Sequence, residues 1–225
     1  MNISSKQLIG VQIMKSVDKM ISDVEKVLIT KGDLYKSLLN IVISLMDKKD
    51  SNEIFNTVLL TSMAVSRADG GTVYIVIDDH LHFLCAYNRS LNLISKLGSK
   101  STKGLEPIPL YNKKGEYNNK FTSVQALEKK QAIKINNIQE TSGYEDSGTK
   151  KFDDQYQYST ESMMTIPLFT KNRPLGVVQL VNAQKESSGQ IIPFSKEIQE
   201  CLQIFYQVMS PYLEVVQNNK KNESM

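Results

Sequence analysis

Apolar positions along the chain repeat with a helical period at both ends and with a strand period in the middle. From Gln7 to about Thr30, Met14, Val17, Ile21, Val24 and Leu28 recur by threes and fours among charged residues, which predicts a helix with one apolar seam. That seam either pairs with a second copy or packs on its own domain. After Gly32-Asp33 a second helix is predicted from about Leu34 to Met46, with Leu38, Leu39, Val42 and Met46 on one side. A third, capped by Ser51 or Asn52, carries Ile54, Val58, Leu59 and Ala64 to about Ser66. The period then shortens to two. A strand begins in Thr72-Val73-Tyr74-Ile75-Val76, turns at Asp78-Asp79 and returns from His80 to about Tyr87.

Residues 89–119 read as an irregular excursion with one short strand, Phe121 to Lys130 as a helix and Ala132–Ile135 as a strand. Residues 136–161 form a long polar loop bearing Tyr144, Tyr156 and Tyr158, a length that suits a lid. Met163–Leu168 and Leu175–Val181, split by Asn172, Arg173 and Pro174, make the central hairpin. Within it Gln179 is a polar group on a covered face, and the preceding loop offers hydroxyls and carboxylates as partners. The last helix starts after Pro193 with Ser195 as its cap and buries Ile198, Leu202, Phe205, Met209, Tyr212 and Val216. Pro211 removes a helical donor, so a kink or break is expected near Gln207 to Ser210. The pattern divides the chain into a helix at 1–33, a domain at 34–217 and a frayed polar tail at 218–225.

Composition narrows the class. The chain has 225 residues, 40% of them hydrophobic, which suffices for a full core. A net charge of +3 with scattered lysine pairs gives no nucleic-acid surface. No stretch approaches the roughly 20 apolar residues needed to cross a bilayer, so a cytoplasmic protein without membrane partners is expected. Cys85 and Cys201 lie in apolar segments, with no metal-knuckle spacing, and read as core residues. His80 and His82 share a strand face without a third converging ligand, so no metal is expected. Motifs for a nucleophile elbow, a P-loop or a zinc hydrolase do not occur, which argues against catalysis.

Two phrases carry a resemblance. The run Lys151-Phe152-Asp153-Asp154, Tyr158, Thr160, Ser162, Met163-Met164-Thr165-Ile166-Pro167 and Gly176-Val177-Val178-Gln179-Leu180-Val181-Asn182 resembles the core of a GAF domain. It is closest to the subgroup in cyclic-nucleotide phosphodiesterases, adenylate cyclases and bacterial HD-type phosphohydrolases. Lys150 stands where that pattern has Asn, and Asp154 where it has Glu. The Ala68-Asp69-Gly70-Gly71 junction resembles the start of the first strand in the same family.

The resemblance implies an α+β fold: a central antiparallel sheet with helices from both termini on one face and a lid loop on the other. It implies a ligand set of Thr72, Tyr87 or Asn88, Phe152, Asp153, Tyr156, Thr160 and Gln179, in which Tyr87 or Phe152 stacks a flat ring while Thr160 and Gln179 read its edge. Lys151 with Asp153 or Asp154 matches the internal salt bridge that holds the family's lid closed. Val124 and Lys130 replace customary glycines, which implies altered backbone or a narrower pocket wall. The redox and bilin-binding members use cysteines in arrangements this chain lacks.

Two functions follow. One is a sensory or regulatory domain that binds a small ligand, a cyclic nucleotide among the candidates, and signals through a helical homodimer to an output domain or protein partner. The other is a ligand-free dimerisation or interaction module. The first makes the chain either a regulatory part of a cyclase or phosphohydrolase or a module that acts alone.

Overall fold

The computed structural model of the protein describes residues 31–46, 50–96, 106–141, 147–171 and 173–223. The seamed helix expected at residues 7–30 lies outside them. Two helices open the fold, α1 (Lys31–Met46) and α2 (Ser51–Ser66). Asp50 is the α2 cap, its carboxylate accepting from Asn52 N at 2.8 Å, so the cap stands one residue ahead of Ser51 and two ahead of Asn52. The helix ends on Arg67, whose left-handed backbone (φ 54°) turns the chain directly into the sheet.

The strands are β1 (Ala68–Ile77), β2 (His80–Asn88), β3 (Leu93–Lys96), β4 (Ile108–Pro109), β5 (Ile133–Ile135), β6 (Met163–Thr170), β7 (Arg173–Gln184) and β8 (Ile191–Ile192). They form one antiparallel sheet in the order β3-β2-β1-β7-β6-β5, with β4 on β2 and β8 on β7. Residues 89–119 thus hold two short strands where one was expected, together with a bridge between Tyr111 and Tyr117. Three further helices complete the fold: α3 (Thr122–Lys129), α4 (Ser147–Tyr156) and α5 (Lys196–Glu223).

Register sorts the sheet into two faces. Val73, Cys85, Tyr87, Val178, Leu180, Met164 and Ile166 join Leu59 and Met63 of α2 and Leu202, Phe205 and Met209 of α5 in the main core. Gly71 allows this approach, because a Cβ there would stand 2.8 Å from Leu59 Cδ1. The opposite face carries Gly70, Thr72, Ala86, Asn88, Gln179 and Val181, paired in register across β2, β1 and β7. A smaller core of Leu81, Leu110, Val124, Leu127 and Val177 seats α3 on that second face.

Two expectations are corrected by local chemistry. Helix α5 runs through Pro211 without the break expected near Gln207 to Ser210, and Ser210 Oγ donates to Tyr206 O at 2.7 Å in the turn before the proline. Lys130 takes the left-handed conformation itself (φ 51°) as the C-cap of α3, so the backbone expected of a glycine is kept at the cost of a strained lysine.

Candidate functional site

The face of the sheet away from α1, α2 and α5 is roofed by α4 and by the chain that follows it. Helix α4 occupies the middle of what the sequence presents as a loop. Its Phe152 meets Tyr156 at 4.8 Å between ring centroids and Tyr158 at 5.8 Å, an aromatic group on the underside of the roof.

Two hydrogen-bonded clips hold this roof down. Asp153 accepts from Thr160 N at 2.9 Å and from Thr160 Oγ1 at 2.8 Å, closing the chain back on the end of α4. Burial raises the Asp153 carboxyl above its ordinary value of 3.8, the bonds from Thr160 oppose that rise, and nearby Asp154 adds to it. The carboxylate is therefore engaged by Thr160, and among the described residues no ion pair joins Lys151 to Asp153 or Asp154. A backbone amide reaches a carboxylate with less loss of side-chain freedom than an exposed lysine does.

The second clip centres on buried Asp69. Its carboxylate accepts from Ser90 N and Ser90 Oγ and, at 2.7 Å, from the Tyr158 hydroxyl. The same hydroxyl accepts from Asn182 Nδ2 at 2.9 Å. Asn182, left-handed at φ 54°, also donates to Ser159 O and accepts from Glu161 N and Ser162 N. Burial, then the Asp69 carboxylate, pushes the Tyr158 hydroxyl well above its ordinary value of 10.0, so it stays a donor at neutral pH. Start of β1, end of β7 and end of the roof are thereby tied at one point.

Between roof and sheet lie two connected chambers. The inner, of about 90 Å³, is floored by Gly70, Thr72, Ala86 and Gln179 and walled by Tyr74, Phe121 and Phe152. The outer, of about 490 Å³ and open to solvent, shares Thr72, Tyr74, Phe121 and Phe152 with it and adds Phe83, Glu106, Lys151 and Tyr156.

The structure places the residues named from sequence as follows. Thr72, Asn88, Phe152, Thr160 and Gln179 border the inner chamber, and Tyr156 borders the outer. Tyr87 touches the inner chamber but packs in the helix-side core, where burial raises its hydroxyl above the ordinary range; it cannot stack a ring under the roof. Asp153 and Asp154 border neither chamber, while Lys151 reaches the outer one. Gln179 finds its partners on the neighbouring strand, Met163 Sδ at 3.1 Å and Thr165 Oγ1 at 3.4 Å, and not in the upstream loop. Unforeseen contributors are Tyr74, Phe121 and Leu93; stepping by two from Thr72 along β1 finds Tyr74, whereas Phe121 and Leu93 follow only from the folded path.

Cys85 and Cys201 form no disulfide and are buried in the helix-side core, and burial pushes the Cys201 thiol up to about 11. His80 Nδ1 donates to Asp78 O at 2.7 Å, and its ring lies 6.4 Å from that of His82. Among the described residues no three metal-ligating side chains converge, and no helix is long and apolar enough to cross a membrane.

The GAF domain family model matches residues 50–210, and the chain belongs to that family. Solved structures agree on the fold. Free methionine-R-sulfoxide reductase from Neisseria meningitidis, solved with its substrate, is 16% identical with a TM-score of 0.57, over 84% of this chain and 94% of that one. The GAF domain of an Acinetobacter phosphoenolpyruvate-protein phosphotransferase is 11% identical with a TM-score of 0.57, over 84% of this chain and 97% of that one. The GAF domain of a Bacillus halodurans two-component sensor histidine kinase is 18% identical with a TM-score of 0.54, over 77% of this chain and 99% of that one. The comparison with curated protein sequences returns no match. GAF domains are typically sensory or regulatory ligand-binding modules, and this chain has their fold.

Proposed function

We propose that this chain is a cytoplasmic regulatory sensor. Its roof, α4 with residues 157–161, closes on a small molecule over β1, β2 and β7. The α1 and α5 helices carry the change to a second copy of the chain and on to an output domain or protein partner. The observation that supports this reading is the pair of connected chambers beneath a roof tied to the sheet by Tyr158, Asp69 and Asn182. A ligand touching Phe152 would bear on α4 and, through the Tyr158 ring that Phe152 meets, on Asp69 in β1 and Asn182 in β7. Catalysis by the thiols is not part of the proposal, since both lie on the far side of the sheet.

The resemblance favours a cyclic nucleotide, yet among the described residues no cationic side chain borders the inner chamber to meet a phosphate. A second reading, a packing and interaction module, draws support from the inner volume of about 90 Å³. Ligand sites commonly offer roughly 300–1,000 Å³. The outer chamber, at about 490 Å³, falls within that range by itself, and the inner one does not.

Differential scanning fluorimetry against cyclic AMP, cyclic GMP, cyclic dinucleotides, amino acids and purines, with native mass spectrometry of the purified protein, separates the readings. A sensor gives a shift of several degrees or a retained small mass. Thr160→Ala combined with Gln179→Ala is expected to abolish that shift, and a shift that survives would remove both residues from the site.

A further inference from the structure

Among the described residues at the chambers, Asn88 has a buried polar group left over. It is only 3% exposed, and its Nδ2 has no hydrogen-bond partner. The amide cannot be turned to hide this, because Oδ1 accepts from Leu91 N at 2.9 Å and that amide needs an oxygen. Nδ2 lies beside the Tyr158 hydroxyl without a hydrogen bond of good geometry, and that hydroxyl already serves Asp69 and Asn182. Gly70 leaves room at this point, since a Cβ there would come within 2.9 Å of Nδ2. An unmet donor in a closed site carries a desolvation penalty, and an acceptor brought by a ligand removes it.

Gln179 offers the complementary group. Its Nε2 faces Met163 Sδ, and a thioether can only accept, so the nitrogen is fixed on that side and Oε1 turns away from β6. Asn88 pairs across β1 with Gly70, and Gln179 pairs with Thr72. Donor and acceptor therefore sit on one face, two strand spacings across and two residues along, about 12 Å of backbone apart. Once the side chains reach inward, one or two fused rings fill the gap.

Charge is the third observation. Among the described residues no Lys, Arg, His, Asp or Glu borders the inner chamber, and the outer one adds Glu106 and Lys151, which balance. The α3 N-terminus borders the inner chamber at Ser123, and Val124 N and Gln125 N are taken up by Phe121 O at 3.0 Å. An anion would find no cationic side chain among the described lining residues to offset its lost hydration.

Resting on the sensor reading, we propose that the inner chamber takes the uncharged end of a small heterocycle, a lactam or imide ring. Its carbonyl accepts from Asn88 Nδ2, its N–H donates toward Gln179 Oε1, and its faces lie against Phe121 and Phe152. Asn88 is then the residue that selects a neutral acceptor over a carboxylate or phosphate.

Matched pairs test it on the wild-type protein: uracil against orotate and nicotinamide against nicotinate, with hypoxanthine and cyclic AMP alongside, by calorimetric titration at pH 7. The neutral member is expected to bind at least tenfold more tightly than its carboxylate. Asn88→Asp, which exchanges the donor for an acceptor, is expected to lose at least tenfold for the neutral members, with its fold checked by circular dichroism. Equal or tighter binding of the anions overturns the inference and leaves the sensor reading standing. Unchanged neutral binding by folded Asn88→Asp assigns Asn88 to the Tyr158 network alone and also overturns it. Should Asn88→Asp fail to fold, the wild-type pairs still decide. If no probe binds and native mass spectrometry finds no retained small molecule, the sensor reading falls, and the inference with it.

Discussion

At Gly176 the missing side chain is what permits β1 and β7 to pair. A Cβ there would stand 2.1 Å from Tyr74 O, a backbone atom that cannot swing aside without breaking the ladder. Gly176→Ala is expected to cost more than about 4 kcal/mol or to prevent folding, read from urea unfolding. The sequence places this glycine in a motif, but the reason for it is a distance across strands some 100 residues apart in the chain. Asn182 is similar. Its position is legible, yet its work is to hold a left-handed turn and bond four groups of the roof, a role visible only when residues 158–162 are folded over it. For Lys151 with Asp153 or Asp154 the family resemblance implies an ion pair, whereas the Asp153 carboxylate takes the nearby Thr160 amide and hydroxyl.

Element boundaries followed the apolar periods closely where those were long, as in α2, β1, β2, β6 and β7. They failed where structure depends on a roof or a cap. Helix α4 is polar and short, so its pattern in residues 147–156 reads as loop; what settles it is Phe152 packing under the roof and the Asp153–Thr160 clip at its end. At α2 three capping residues stand in a row, Asp50, Ser51 and Asn52, and only the extended backbone of Asp50 (φ −77°, ψ 111°) picks the first. Asp50→Ala is therefore expected to lower stability by about 1 kcal/mol. Ser51→Ala is expected to stay within about 0.5 kcal/mol. Parallel urea titrations compare the two, and equal losses would unseat Asp50 as the cap.

The whole molecule responds to pH through groups buried on both sides of the sheet. Burial raises Cys201 to about 11 from an ordinary 9.0 and holds Tyr87, Tyr158 and Tyr206 above 10.0. In each case the folded state keeps a proton that the unfolded chain gives up, so stability falls as pH rises, first above about 9 for the thiol and then above about 10 for the phenols. Each group contributes at most about 1.4 kcal/mol per pH unit, and all four act in one direction. Thermal unfolding at pH 8.0, 9.5 and 10.5 should thus descend ever more steeply, and a flat profile would mean that these groups titrate in the folded protein. The helical face gives the second whole-molecule consequence. Tyr35, Leu39 and Ile43 of α1 and Ile204, Val208 and Val215 of α5 are exposed, spaced by fours and sevens, on helices joined by the bond from Tyr212 OH to Leu45 O at 2.6 Å. Such a stripe on two adjacent helices suits a four-helix seam with a second copy. Leu39→Glu with Val208→Glu places charge on the stripe without touching the core beneath. The double variant is expected to run as a monomer in size-exclusion chromatography with light scattering, against a wild-type dimer, while keeping its unfolding temperature at high dilution. A wild-type monomer at tens of micromolar would end the dimer proposal and leave the signal to pass through α1 and α5 to a different partner.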